Sequence, residues 1–103
     1  MTSELSTWTI SYSNKAKKSA LKLPVKVKMQ ANLLAKEMET RGPYRKNWPH
    51  YGPLSKGSGI PENAYHCHIK GGKPTYVVCW KIEDKKLRII EIFYVGTHEN
   101  TPY

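Results

Sequence analysis

Two apolar runs separated by a three-residue charged turn set the strongest limit on how this chain can fold. Residues 75–83 and 87–95 are rich in β-branched and aromatic side chains, and the Asp84-Lys85-Lys86 turn between them suits a hairpin. A third run, residues 64–70, precedes them across Gly71-Gly72-Lys73-Pro74, which predicts an antiparallel three-stranded meander. Side chains of a strand alternate between faces. On the first of these strands Tyr65, Cys67 and Ile69 therefore share a face suited to a core, and His66, His68 and Lys70 share one suited to a phosphate. On the middle strand Tyr76, Val78, Trp80 and Ile82 are assigned to the core, with Val77, Cys79 and Lys81 opposite. The last strand is apolar on both faces, Ile89 and Phe93 with Glu91 against Ile90, Ile92 and Tyr94, so alternation leaves its register open.

Upstream, residues 7–11 alternate as a first strand with Trp8, Ile10 and Tyr12 to one side. Ser13 and Asn14 are good N-cap residues for a short helix over 15–23, where Ala16, Ala20 and Leu23 form a narrow apolar stripe and Lys15, Lys17, Lys18 and Lys22 face outward. Pro24 ends this helix and suits the first turn of a second. In that second helix Val27, Ala31, Leu34, Ala35 and Met38 recur at helical spacing, Met29 and Leu33 widen the stripe, and Arg41-Gly42-Pro43 stops it. The expected fold is α+β, with the order β-α-α-β-β-β, an antiparallel C-terminal meander and both helices on one face of the sheet. At 103 residues the chain has room for one modest core, and a single domain over 1–103 is expected.

Residues 43–63 change character. Five of the seven prolines lie between Gly42 and Pro74, and Arg45, Lys46, Trp48, Tyr51 and Lys56 stand in the loop. A loop of this length in so small a domain is often functional. Trp48 and Tyr51 either stack on bases or close the open edge of the core. Gly57-Ser58-Gly59 is too short for a nucleotide-binding loop, and no strand precedes it.

Seventeen Lys and Arg against eight acids give a net charge of +9 and a pI near 9.6, which points to a polyanion or an acidic protein as partner. Seven tyrosines tilt the expectation mildly toward RNA. No apolar run approaches the roughly 20 residues that span a bilayer, and residues 1–10 carry no signal-peptide pattern, so a cytoplasmic protein without membrane contact is expected. Cys67 and Cys79 fall within strands and read as buried free thiols.

The order of elements, with a short tail after the last strand, resembles the RelE/ParE superfamily of bacterial toxins, and looks most like RelE-type cytotoxic translational repressors. The residues that carry the resemblance are Tyr65-His66-Cys67-His68-Ile69-Lys70, Tyr76-Val77-Val78-Cys79-Trp80-Lys81-Ile82 and Tyr94-Val95-Gly96-Thr97-His98-Glu99, with Tyr103 closing the chain. The order of elements matches throughout the chain; the motifs are confined to the C-terminal strands and tail. The resemblance implies the toxin of a toxin–antitoxin system, an endoribonuclease that represses translation by cutting mRNA on the ribosome. It implies an antitoxin partner, contact with ribosomal RNA, and operator DNA only indirectly through the antitoxin. In the RNA-cleaving branch the catalytic groups lie on the sheet face away from the helices. Carried over, the second-strand basic pair falls on His66 and His68, the tail position on His98 and the late tyrosine on Tyr103. Where many members carry an arginine after the first aromatic of the third strand, this chain has Val77. Lys70, Lys81 or Arg88 would then have to meet the transition-state charge.

RNA cleavage without a metal needs a base for the 2′-hydroxyl, an acid for the departing 5′-oxygen and cations around the phosphorane. Histidine, with an ordinary pKa near 6.5, serves in either proton-transfer role. Two histidines at two-residue spacing on a strand lie about 6–7 Å apart and can bracket a phosphate. His66 or His68 is the expected base and His98 the acid, with Lys70 and neighbouring cations holding the phosphate and Arg45 and Lys46 adding substrate contacts. Glu99 would orient His98, and Tyr103 would stack on or bond to substrate. The three histidines lack the paired spacing of a zinc module, so neither a metal nor another cofactor is expected. His50 has no motif around it and reads as a structural or surface residue. Two other readings use the same features: a ParE-like gyrase inhibitor, which Val77 favours, and a nucleic-acid-binding relative that does not cleave.

Overall fold

Ser13 opens the helical half of the molecule, its side-chain oxygen accepting the Ala16 N–H at 3.1 Å as an N-cap. The computed structural model describes residues 7–54 and 60–101. Helix α1 (Asn14–Leu21) is followed through Pro24 by α2 (Val25–Arg41), which ends at Gly42 with φ 88° and the Gly42 N–H bonded to the Met38 carbonyl. A side chain at Gly42 would also crowd the Trp8 indole, 3.2 Å from where its Cβ would stand.

The strands are β1 (Thr9–Tyr12), β2 (Gly52–Pro53), β3 (Ala64–Lys70), β4 (Tyr76–Asp84) and β5 (Ile89–Thr97), and a 3₁₀ turn over His98–Asn100 follows. They form one sheet in the order β1-β5-β4-β3-β2. The meander over β3, β4 and β5 is antiparallel as expected, while β1 joins its free edge parallel to β5, from Thr9 beside Ile89 to Tyr12 beside Ile92. The expected order gains one strand, because Gly52 and Pro53 leave the 43–63 loop to pair with His66 and Tyr65.

Both helices contribute to one core against one set of strand positions. Ala16, Leu23, Val27, Ala31, Leu34 and Met38 meet Cys67, Ile69, Val78, Trp80, Ile90, Ile92 and Val95. Trp8, Ile10 and Tyr12 pack against this cluster from β1. Met29 and Leu33 do not widen the helical stripe: they are 65% and 51% exposed. At 3.6 residues per turn Met29 lies about 200° round the helix from Val27, so it cannot share Val27's contact with the sheet.

Three one-residue irregularities break the simple alternation, and one of them, at Glu83 of β4, lies beside the turn into β5. On β5, Tyr94 pairs with Cys79 but Ile92 pairs with Trp80, so Phe93 is the extra residue of a bulge. The bulge settles the register that the sequence leaves open: Ile90, Ile92 and Val95 enter the core. On β3, His68 pairs with Val77 but Lys70 pairs with Tyr76, and Ile69 is the extra residue. Residues paired across a ladder share a face, so Lys70 parts from His66 and His68 and follows Tyr76 to the helix side. The expectation that all three share one face therefore holds only for the histidines.

The 43–54 segment is clamped to the body. Glu37 Oε1 accepts from Arg45 Nη1 (3.1 Å), Asn47 Nδ2 (3.1 Å) and Trp48 Nε1 (2.9 Å), and Arg45 also donates to the Gly42 and Arg41 carbonyls. Tyr51 lies parallel to Tyr65 with ring centroids 6.0 Å apart and stacks on Trp80, whose indole N–H donates to the Pro43 carbonyl. Of the two roles open to Tyr51, it closes the core edge.

Candidate functional site

On the sheet face away from the helices, neighbouring positions of three strands line up in two rows. One runs His66, Cys79, Tyr94 and the other His68, Val77, Gly96. Val77 and Cys79 in the central strand are fully buried, which makes an apolar floor flanked on one side by the two imidazoles. Val77, the position where the family resemblance leads one to look for arginine, contributes no charge there.

The chain then turns so that His98 returns toward His68. The His98 N–H donates to the Thr75 carbonyl at 2.8 Å, pinning the 3₁₀ turn beside the start of β4. Its ring meets that of His68 edge-on, with centroids 5.4 Å apart. Gly96 makes the approach possible: a Cβ there would stand 2.8 Å from the Tyr94 hydroxyl, which donates to the Thr97 carbonyl at 2.6 Å. Tyr94 thus lies across Gly96 and braces the turn that carries His98.

His50 joins the cluster, contrary to its reading as a structural or surface residue. Its ring stacks on that of His68 at 4.1 Å with 24° between planes. Three local features hold it there: the Glu37 clamp on Arg45, Asn47 and Trp48, a bond from the His68 N–H to the Pro49 carbonyl (2.8 Å), and a left-handed backbone at His50 (φ 56°). A non-glycine residue in that region costs about 1–2 kcal/mol of backbone strain, a cost often found where a side chain has a task. Four residues before His50, Lys46 is exposed.

All four histidines of the chain thus share one electrostatic neighbourhood. Burial pushes the His66 imidazole below its ordinary pKa, and the charges of His98 and His50 add to the effect. His68 is likewise lowered, by burial first and then by His50, His98 and His66. Both strand histidines are therefore biased toward the neutral form, the form that accepts a proton. Among the described residues no group of three or more His, Cys, Asp or Glu side chains is placed to hold a metal ion.

Two open clefts meet at His68. One, of about 610 Å³, lies toward the tail and includes His98, Glu99, Lys73 and Thr75. The other, of about 520 Å³, lies toward α2 and includes Lys26, Gln30, Trp48, His50 and Lys70.

Several expected substrate contacts stand elsewhere. Arg45 is only 8% exposed, and its guanidinium is taken up by Glu37, Asn47 and two backbone carbonyls, so it is an anchor of the loop. Arg88 precedes β5 while His98 follows it; a strand of that length separates them by roughly 30 Å. Lys81 lies on the open face with its ammonium between Glu83 (3.3 Å) and Glu91 (3.7 Å), which offset its charge. Tyr103 lies outside the described residues. Cys67 and Cys79 are buried free thiols, as expected.

No protein-family model and no curated protein sequence matches the chain. Solved structures do. The toxin in the intact RelBE toxin–antitoxin complex of E. coli is 20% identical, with a TM-score of 0.57 over 86% of this chain and 94% of that one. The archaeal RelE–RelB complex from Pyrococcus horikoshii OT3 gives 14% identity and a TM-score of 0.63 over 92% and 99%. The YoeB dimer from Staphylococcus aureus gives 17% and 0.66 over 89% and 98%. Two helices on one face of a five-stranded mixed sheet, matched over nearly the full length of each neighbour, give this chain the fold of the RelE-type toxins.

Proposed function

We propose that this protein is the toxin of a toxin–antitoxin pair, an endoribonuclease that represses translation by cutting mRNA on the ribosome. The observation that carries the reading is the gathering of His50, His66, His68 and His98 beside an apolar floor on the open face. In the proposed reaction His68, biased toward its neutral form, removes the proton of a 2′-hydroxyl. The 2′-oxygen attacks the adjacent phosphorus, and His98 delivers a proton to the departing 5′-oxygen, leaving a 2′,3′-cyclic phosphate and a 5′-hydroxyl. Each proton transfer contributes roughly 10²–10⁴-fold. Glu99, in the same cleft, orients His98, and Lys73 and the remaining imidazoles meet the charge that an arginine at Val77 would have met. Histidines fill both proton-transfer roles, so the proposed reaction is metal-independent.

The structural neighbours include a RelBE toxin–antitoxin complex and a RelE–RelB complex, which supports an antitoxin as the partner of this chain. The +9 charge suits both an acidic antitoxin segment and ribosomal RNA. A cytoplasmic site of action follows from that role; among the described residues no helix is long and apolar enough to cross a membrane. Val77 favours the rival reading of a gyrase inhibitor without nuclease chemistry.

Primer extension on a reporter mRNA after brief induction tests the proposal, comparing wild type with His98→Ala and with His66→Ala/His68→Ala. In-frame cuts that persist with EDTA in the lysis buffer and vanish in the variants are expected. Growth arrest with intact message sinks the nuclease reading and turns attention to gyrase; cuts that persist in every variant remove the histidine site.

A further inference from the structure

The cleft between α2 and the β3 edge opens at His68, but the rest of its lining takes no part in the proton transfers. Its chemistry is nevertheless that of a ligand site. One wall is aromatic, Trp48 continuing into His50, and Trp48 is held in orientation by its N–H bond to Glu37. Facing it from α2 are Lys26 and Gln30, both exposed, and Lys70 closes the end. No carboxylate lines the cleft among the described residues, and neither Lys26 nor Lys70 forms an ion pair there. This differs from the tail-side cleft, where Glu99 stands beside His98. At about 520 Å³ the space is large enough for one nucleotide.

We propose that this cleft is a nucleotide subsite, which takes the RNA residue next to the scissile phosphate, its base against Trp48 and its phosphate between Lys26 and Lys70. The inference rests on the ribonuclease reading and adds a direction to it: the strand crosses His68, with one neighbour in the α2 cleft and the other in the tail cleft. Three details favour a nucleotide over an acidic peptide. A flat aromatic wall offers stacking that is tolerant of base identity. Gln30 carries both a donor and an acceptor, which suits a base edge. The Ile69 bulge turns Lys70 away from His66 and His68 into this cleft, placing a cation a short reach from the reacting phosphate without crowding it.

The test uses the full chain and a short 2′-O-methyl RNA, which cannot be cleaved because its 2′-oxygen is blocked. Binding is followed by the side-chain N–H signal of Trp48 in an NMR titration and by fluorescence anisotropy as a function of salt. A shift of the Trp48 signal is expected. Lys26→Ala/Gln30→Ala should weaken binding about tenfold, and the slope of log K against log salt should fall by about 0.7 for each of Lys26 and Lys70 removed. Both α2 residues are exposed, so their replacement leaves the fold intact, and thermal unfolding of each variant verifies that. Unchanged affinity in the Lys26→Ala/Gln30→Ala variant, or a Trp48 signal that does not move, overturns the subsite. A glutamate-rich peptide that binds as tightly as the RNA and moves the same signal also overturns it, assigning the cleft to a protein partner. Cleavage of unmodified RNA by the same samples is read separately: lost subsite binding with cuts intact leaves the nuclease standing, and cleft binding without any cleavage does the reverse.

Discussion

Glu37→Ala should release the loop that carries Trp48 and His50, and its effect can be worked from the contacts. One carboxylate oxygen accepts three donors, from Arg45, Asn47 and Trp48, at 2.9–3.1 Å. Removing it leaves the Arg45 guanidinium, with 10% of its side chain exposed, without a counter-charge. Loss of one partner of a buried pair costs about 3–5 kcal/mol. The Glu37 side chain is 27% exposed, so water can reach part of the vacated site, and the expectation is discounted to about 2–3 kcal/mol. A domain of this size has only about 5–15 kcal/mol in total, so it stays folded while its Tm drops by roughly 10–20 °C. Glu37→Gln keeps an oxygen acceptor but loses the charge, and should cost about half as much.

The pH dependence follows from the same contacts. Burial acts to raise the Glu37 pKa, but the bonds from Trp48, Asn47 and Arg45 and the Arg45 charge outweigh it and hold the carboxyl below its ordinary value. A depressed folded-state pKa gives stability that is present above the unfolded value, about 4.3, and lost as pH falls through the folded one. The Tm gap between wild type and Glu37→Gln should therefore narrow in acid, below about pH 4. Thermal unfolding followed by circular dichroism measures both quantities. The ring-proton shifts of His50 and His68, which depend on their stacking, report whether the loop has come away. A Tm loss under 3 °C in Glu37→Ala, or an unchanged histidine stack, would refute the clamp.

Gly96→Ala should displace the Tyr94 ring, because the new methyl carbon would stand 2.8 Å from its hydroxyl. The expected loss is about 1–2 kcal/mol of stability, together with reduced RNA cleavage as the His98 turn shifts; chemical denaturation and a cleavage assay check the pair. Because His66 and His68 have folded-state pKa values below their unfolded ones, the protein should lose stability as pH falls through about 6.5. His50→Ala removes one of the charges responsible, so the slope of Tm between pH 7.5 and 5.5 should be shallower in that variant; an identical slope contradicts the coupling. Burial pushes both cysteine thiols up to about 12, and both side chains are fully buried. Neither should react with a thiol reagent at pH 8 until denaturant is added, and mass spectrometry of the labelled protein reads this directly.

Period alone was enough to read the helices and the meander from the residues, because Val27, Ala31, Leu34 and Met38 repeat at helical spacing and Tyr76, Val78 and Trp80 at strand spacing. What it could not supply was long-range placement. Nothing local in residues 9–12 says that β1 lies parallel to β5, since that contact is made between residues 80 positions apart in the chain. His50 was illegible for a related reason: its own neighbours carry no pattern, and its position is set by Glu37 and by the Pro49 carbonyl bonded to β3. A sequence signal did exist in Arg45, Asn47 and Trp48, three donors within four residues, which a single carboxylate can gather.

The Ile69 bulge has the largest consequence for the site, because it separates Lys70 from the two strand histidines. A strict alternation counts residues, so one inserted residue reverses the face of every residue after it. His66 and His68 precede the Ile69 bulge and keep their predicted face; Lys70 follows it and changes sides. Ile69 itself is 4% exposed and packs in the core, so burying its side chain helps to hold the irregular backbone. The same core contact that stabilises the fold thus turns Lys70 toward Lys26 and away from the imidazoles. In the proposed reaction, a lysine kept beside His66 and His68 would add a positive charge next to His68, the group that must be neutral to accept a proton. With Lys70 displaced and Val77 uncharged, the open face has histidine at both strand positions and in the tail turn. Its protonation is then governed first by burial and next by the charges of the neighbouring histidines, among them His50 stacked on His68.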